Sequence, residues 1–216
     1  VEQAEERFNL ALRLDNTDYQ ILMNLSAVEL RKGNAPRAVA FVHDALILPQ
    51  NLDAQARADA IWHLARIHYA IHDYPKAFEL AQQSTTVLSA PRRVLQLGVY
   101  AILGGRLTEG LSLIGAAVRQ EPRLFTVAAS TPDLTAHRSD CLNLLGTLTD
   151  EALNALQKGC QKIGPTVDDV GKLRRVDPGH VARFRARFEA VLRTSRGGSY
   201  SEYREALIML SALEDI

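Results

Sequence analysis

Residues 19–51 read YQILMNLSAVELRKGNAPRAVAFVHDALILPQN. Leu22, Leu25 and Ser26 fall on one face of a first helical stretch, and Ala38, Val42 and Ala45 on one face of a second. Gly33 sits at the turn between them. The same columns return elsewhere in the chain. Ala4, Ala38, Ala77 and Gly110 are separated by 34, 39 and 33 residues. Ala11, Ala45, Ser84 and Ala117 repeat that series, as do Phe8, Val42, Ala81 and Ile114. Leu25, Leu64 and Leu97 keep the later two steps, 39 and 33. A period near 34 residues is the length of two helices and two short turns. Small residues in the outer two columns let neighbouring helices approach closely, and the larger residue between them fills the gap. One such pair cannot bury its apolar face alone, so the pairs must stack.

These columns resemble the tetratricopeptide repeat family. Residues 19–51 supply Leu22, Leu25, Ser26, Gly33, Ala38, Val42 and Ala45 in the family's places. The segment from Ala58 supplies Ile61, Leu64, Ala65, Ala77, Ala81 and Ser84. The segment from Pro91 supplies Val94, Leu97, Gly98, Gly105, Gly110, Ile114, Ala117 and Pro122. Residues 2–14 match only the second helix of a repeat, which points to a natural protein that extends upstream and to a further domain there. The resemblance covers residues 1–122. It implies an all-α, right-handed α-solenoid of helix pairs over residues 1–148, followed by a C-terminal helical cap or bundle over residues 149–216. The repeats are degenerate. The 39-residue step implies an insertion at residues 53–57 that lengthens the helix leading to Trp62. The family's first-helix aromatic is replaced by Glu29, His68 and Ala101, and Gly110 stands where Ala is usual.

The remainder also reads as helix. Thr131-Pro132 is a cap and first turn. Thr149, Asp150 and Glu151 open a helix that Gly164-Pro165 ends. Thr166 caps another through Leu173, and Asp177-Pro178 begins a longer one with Val181, Phe184, Phe188, Val191 and Leu192 at helical spacing. Gly197-Gly198 breaks the chain, and Ser199 with Glu202 forms a capping box. No segment alternates long enough to be a strand.

Composition allows a packed core: 47% of residues are apolar and 23% charged. Lys plus Arg and Asp plus Glu are 25 each, so no global charge drives the chain onto nucleic acid or an anionic membrane. No apolar run reaches the roughly 18 residues of a membrane span. Cys141 and Cys160 make no disulfide framework and fit a reducing, cytoplasmic setting.

Candidate chemistry is sparse. Gly105-x4-Gly110 lacks the Lys and Ser or Thr of a phosphate loop, and its glycines read as a turn and a packing residue. His68 and His72, four apart, share a helix face where two imidazoles meet one metal, while His63 points about 140° away from His68. Their register places His68 at a packing position and His72 at a turn. Cys141 with His137 has no surrounding nucleophile signature and precedes an apolar run, the pattern of a buried thiol. No catalytic residues, metal or cofactor are assigned, and the expectation is a non-enzyme.

In the family the first helices line a concave groove, and register carries this onto Gln20, Met23, Ala27, Leu30 and Arg31, then Asp59, Trp62, Arg66, Tyr69 and Ala70, then Arg92, Leu95, Val99, Ile102 and Leu103. Met23 and Ala27 occupy the places of the Lys and Asn with which some members grip a terminal carboxylate. Trp62, Arg66 and Tyr69 are types enriched in binding hot spots, though Trp62 fits packing against a neighbouring helix equally well. The apolar Leu95, Val99 and Ile102 would receive a partner helix or the chain's own C-terminal helices. A basic stretch, Lys172, Arg174, Arg175, Arg183, Arg185, Arg187, Arg193 and Arg196 against Asp177 and Glu189, is a second candidate surface. It reads as a patch for nucleic acid or an acidic partner, or as a solvated face whose Arg stems cover Phe184 and Phe188. The function expected is a scaffold or adaptor that binds another polypeptide in the groove. The alternatives are a regulatory or nucleic-acid-associated adaptor, and the non-catalytic part of a larger enzyme.

Overall fold

A computed structural model describes residues 2–15, 18–48, 52–170 and 177–214. Among them there is helix and no strand. Seven helices carry the repeats: α1 (Glu2–Leu14), α2 (Tyr19–Arg31), α3 (Ala35–Leu46), α4 (Ala54–Ala70), α5 (Tyr74–Val87), α6 (Pro91–Leu103) and α7 (Leu107–Gln120). Then come α8 (Leu124–Ser130), a 3₁₀ turn (Pro132–His137), α9 (Arg138–Val170), α10 (Pro178–Thr194), a short 3₁₀ turn (Ser195–Gly197) and α11 (Tyr200–Glu214). The chain divides into two compact units, Val1–Ala116 and Ala117–Ile216. The boundary expected at 148/149 therefore falls inside a continuous helix, α9.

In the first unit α2 packs on α3, α4 on α5, and each second helix on the next first helix. The repeat columns are its core. Ala38, Val42, Ala45, Ala77, Ala81 and Ser84 are all inaccessible to solvent, and Leu25, Leu64 and Leu97 are buried beside them. One cluster joins α3 to α4 through Ala38, Val42, Ala60 and Leu64. A second joins α4, α5 and α6 through Ala65, Phe78, Leu97 and Tyr100. Each large apolar side chain removed from water contributes roughly 1.5–3 kcal/mol, which no isolated pair would gain.

The turns inside the three repeats repeat as closely as the columns do. The N–H groups of Gly33, His72 and Gly105 donate to the carbonyls of Leu30, Tyr69 and Ile102 at 3.0 Å. Those of Asn34, Asp73 and Arg106 donate to Glu29, His68 and Ala101 at 2.8–2.9 Å. These are the paired bonds that close a helix on a left-handed residue, and φ is +80° at Gly33, +62° at His72 and +81° at Gly105. Asn34 and Asp73 then cap the second helices, accepting from the N–H groups of Arg37 (3.4 Å) and Lys76 (3.3 Å).

In the third repeat the helices meet at glycine. A Cβ on Gly98 would lie 2.8 Å from the Gly110 carbonyl oxygen, and one on Gly110 would lie 2.6 Å from the Gly98 carbonyl oxygen. That is closer than real Cβ atoms come, so α6 and α7 cross backbone on backbone. The expected lengthening before Trp62 is present as well: α4 has 17 residues against 13 in α2 and 13 in α6, and Asp53 caps it by accepting from the Ala56 N–H at 2.7 Å.

The second unit departs from expectation at three places. Thr149 does not open a helix: it lies inside α9, its hydroxyl donating back to the Leu145 carbonyl at 2.9 Å. Gly164-Pro165 does not end one, and Thr166 caps nothing, since α9 runs through all three to Val170. The physical reason is the apolar stripe Leu148, Ala152, Leu156, Ile163 and Val167, buried without a break across both sites. Pro165 removes a single N–H, and Pro165 and Gln161 are both exposed, where water can serve the carbonyl left over. Pro132 starts a 3₁₀ turn rather than an α-helix, and the Thr131 hydroxyl donates to the Val127 carbonyl at 2.7 Å instead of capping. The later signals are met. Asp177 caps α10 by accepting from the Gly179 N–H. Both arms of the Ser199–Glu202 box form, at 2.9 Å and 3.3 Å. Here α9, α10 and α11 share a core of Leu156, Ile163, Val191, Ala206 and Leu210. Lys172, Leu173, Arg174 and Arg175 lie outside the described residues.

Candidate functional site

The groove expected from register is built from α2, α4 and α6, and specific bonds hold these first helices side by side. The Ser26 hydroxyl donates to the Ala38 carbonyl (2.8 Å) and so must accept from His63, whose Nε2 is 3.0 Å away. That ties α4 to α2 and requires the Nε2-protonated imidazole. Burial, aided by the Arg66 charge, pushes the His63 pKa down to about 4, so the ring is neutral at pH 7. The Tyr19 hydroxyl donates to the Ala56 carbonyl at 2.9 Å. Between α4 and α6, the Tyr100 ring lies 6.3 Å from Trp62 and 5.0 Å from Tyr69.

Arg93, which the register argument passed over, is the hub on this side. It pairs with Asp59, donates to the Ser84 hydroxyl at 3.2 Å, and lies 5.0 Å over the Trp62 ring. Ser84 in turn donates to the Ala58 carbonyl at 2.7 Å. The available signal was an acid and a base of opposite sign one period apart, Asp59 and Arg93.

The sequence-derived positions separate into three groups. Gln20, Arg31, Arg66 and Arg92 are exposed. Met23, Leu30, Asp59, Trp62 and Tyr69 are half-buried. Leu95, Val99 and Ile102 are only 5%, 0% and 2% exposed. These last three are core in the folded chain and offer no open surface, so the apolar extension of the groove into the third repeat is corrected. Ile102 is held by the glycine crossing, next to Gly110. Trp62 packs on the α4–α6 cluster and keeps part of its surface in solvent.

In the first two repeats the column that carries an aromatic in the family carries polar groups tied to the next turn. Glu29 is buried and accepts from Lys32 Nζ (3.1 Å) and Asn34 Nδ2 (2.9 Å), with the Arg37 guanidinium at 3.7 Å. Lys32 also holds Glu5 of α1 at 2.8 Å. In the second repeat His68 Nδ1 meets Asp73 Oδ2 at 2.9 Å.

The residues weighed for chemistry are placed as follows. His72 Nδ1 meets the Tyr74 hydroxyl at 2.7 Å, so His68 and His72 each face a different neighbour. Gly105 is the left-handed turn residue and Gly110 the packing residue. Cys141 is buried, and burial together with Asp140 pushes its thiol up, the reverse of an activated nucleophile. Among the described residues no three His, Cys, Asp or Glu side chains are grouped to hold a metal. Of the basic stretch, Arg183, Arg185, Arg187, Arg193 and Arg196 are exposed, while Phe184 and Phe188 pack on the three-helix core. Among the described residues no helix is long and apolar enough to cross a membrane.

No family model and no curated protein matches the sequence. Among solved structures, the chain is similar in fold to MamA, a protein containing tetratricopeptide repeats, with a TM-score of 0.52 at 14% identity. The match covers 66% of this chain and 82% of that one, and together with the recurring helix pairs it makes the fold an all-α helical repeat.

Proposed function

We propose that this chain is a non-catalytic interaction module that holds a segment of another polypeptide against the first helices of its first two complete repeats. The observation that carries the reading is the mixed surface of α2 and α4. Exposed Gln20, Arg31 and Arg66 flank half-buried Met23, Leu30, Trp62 and Tyr69, on helices fixed by the Ser26–His63 and Tyr19–Ala56 bonds. A rigid layer with aromatic and arginine side chains left partly open is the composition of a binding hot spot. The repeat fold shared with MamA is in keeping with this and adds no residue-level support. Affinity capture from the native extract tests it. Arg66→Glu is the decisive variant, because Arg66 is exposed whereas Trp62 also packs against Tyr100. A polypeptide retained by the parent chain and lost with folded Arg66→Glu agrees with the proposal. Equal capture by both refutes it.

One observation favours a second reading. On α10 four arginines, Arg183, Arg185, Arg187 and Arg193, face only Glu189 as an acid within the helix, which suits nucleic acid. Nuclease-sensitive, strongly salt-dependent capture that survives Arg66→Glu would select that reading instead.

A further inference from the structure

The accessible part of the first-helix layer carries a charge imbalance that the whole chain does not. Overall the chain has 25 basic and 25 acidic residues. At the groove positions the acid is Asp59, and Arg93 already engages it. Arg31, Arg66 and Arg92 are exposed and have no acidic partner among the described residues. They form a diagonal: Arg31 at the C-terminus of α2, Arg66 four residues before the end of α4, Arg92 at the start of α6. The contacts between helices pair similar columns, Ser26 with His63 and Asp59 with Arg93, so the first helices run parallel. With about 1.5 Å of rise per residue and about 10 Å between axes, successive arginines are roughly 12–15 Å apart. An extended chain covers that distance in about four residues. Met23, Leu30, Trp62 and Tyr69 offer apolar surface beside the first two arginines.

Resting on the groove reading above, we propose that the segment this layer holds is acidic. Its carboxylates recur about every four residues along an extended backbone and meet Arg31, Arg66 and Arg92, while apolar side chains between them contact Trp62, Tyr69 and Met23. Guanidinium groups without internal partners give both the attraction and, through paired hydrogen bonds to carboxylates, the spacing.

A random-peptide phage library panned on the full chain, followed by synthetic peptides of the enriched sequences, tests this. The expected outcome is enrichment of net-negative peptides with interspersed apolar residues. Their affinity should fall about tenfold or more in Arg31→Glu and Arg66→Glu, and should weaken as salt rises from about 0.05 to about 0.5 M. It should be unchanged in Arg123→Glu, an exposed charge reversal in the turn before α8, away from the first helices. All three substituted positions are exposed, and far-ultraviolet circular dichroism with thermal melts checks that each variant is folded. Enriched peptides that are neutral or basic, yet lose affinity with Arg66→Glu, would overturn the acidic partner and leave the groove standing. Peptides indifferent to every groove variant, or no enrichment over an unrelated helical-repeat protein, would overturn the groove and the acidic partner together.

Discussion

Substituting Gly110 by Ala restores the residue that the same column holds at Ala38 and Ala77, and helix propensity alone favours the change by about 1 kcal/mol. The geometry gives the opposite sign. The new Cβ would sit 2.6 Å from the Gly98 carbonyl oxygen and 3.0 Å from the Ile102 nitrogen, where ordinary contacts begin at 3.4 Å. The Ile102 Cγ1 is also in the way and can shift, but the Gly98 oxygen and Ile102 nitrogen are backbone atoms that cannot rotate aside, so α7 must retreat from α6 by about 0.8 Å, from 2.6 to 3.4 Å. A gap of that size forfeits a quarter to a half of each dispersion contact across it, and buried Val99, Ile102 and Ile114 are nearby. Overpacking of this kind costs about 1–3 kcal/mol. After the propensity gain, a net loss of up to about 2 kcal/mol remains, a fall of up to several degrees in the melting midpoint. Differential scanning calorimetry of Gly110→Ala beside Gly146→Ala measures it. Gly146 is also in a helix, but a Cβ there meets nothing within 4 Å, so that variant should gain up to about 1 kcal/mol. Gly98→Ala should cost a similar amount to Gly110→Ala, and the double variant less than the sum, because one retreat makes room for both methyl groups. If Gly110→Ala melts at or above the parent, the backbone crossing is soft and the reasoning fails.

Three further outcomes follow. His72 is in the left-handed region at φ +62° where the other two repeats use Gly33 and Gly105; His72→Gly should stabilise by about 0.5 kcal/mol after the lost Tyr74 bond and the greater freedom of the unfolded chain, whereas Gly33→Ala should cost about 1 kcal/mol, both by chemical denaturation. His63 has its pKa held down at about 4 from an ordinary 6.5, so between those values the unfolded chain binds the proton and the folded one does not. Its contribution is therefore complete above pH 6.5 and lost as pH falls towards 4, up to about 3 kcal/mol, and the stability of the parent relative to His63→Gln should decline over that window and not above it. Ser84→Ala removes the hydroxyl's bond to the Ala58 carbonyl and its bond from the Arg93 guanidinium; a loss of about 1–3 kcal/mol is expected by urea unfolding.

Locally encoded features were legible in the sequence, and those that depend on what packs against them were not. The spacing of Ala38, Val42 and Ala45 identified the repeat because close helix packing demands small residues at fixed intervals, and any chain that stacks this way must show them. Asp177-Pro178 and Ser199–Glu202 were readable because a cap acts within four residues. Thr149 and Gly164-Pro165 carried equally good local signals, yet α9 passes through them. A terminus is worth about 1 kcal/mol, less than the buried stripe from Leu148 to Val167 gains by staying continuous. The candidate groove divides the same way. Register placed Gln20, Arg31, Arg66 and Trp62 on the first helices, since side-chain direction follows from helical phase. Only the tertiary structure decided that Leu95, Val99 and Ile102 are buried, that Arg93 rather than a partner occupies Asp59, and that Arg31, Arg66 and Arg92 stay unengaged, because burial and ion pairing depend on residues a full repeat away.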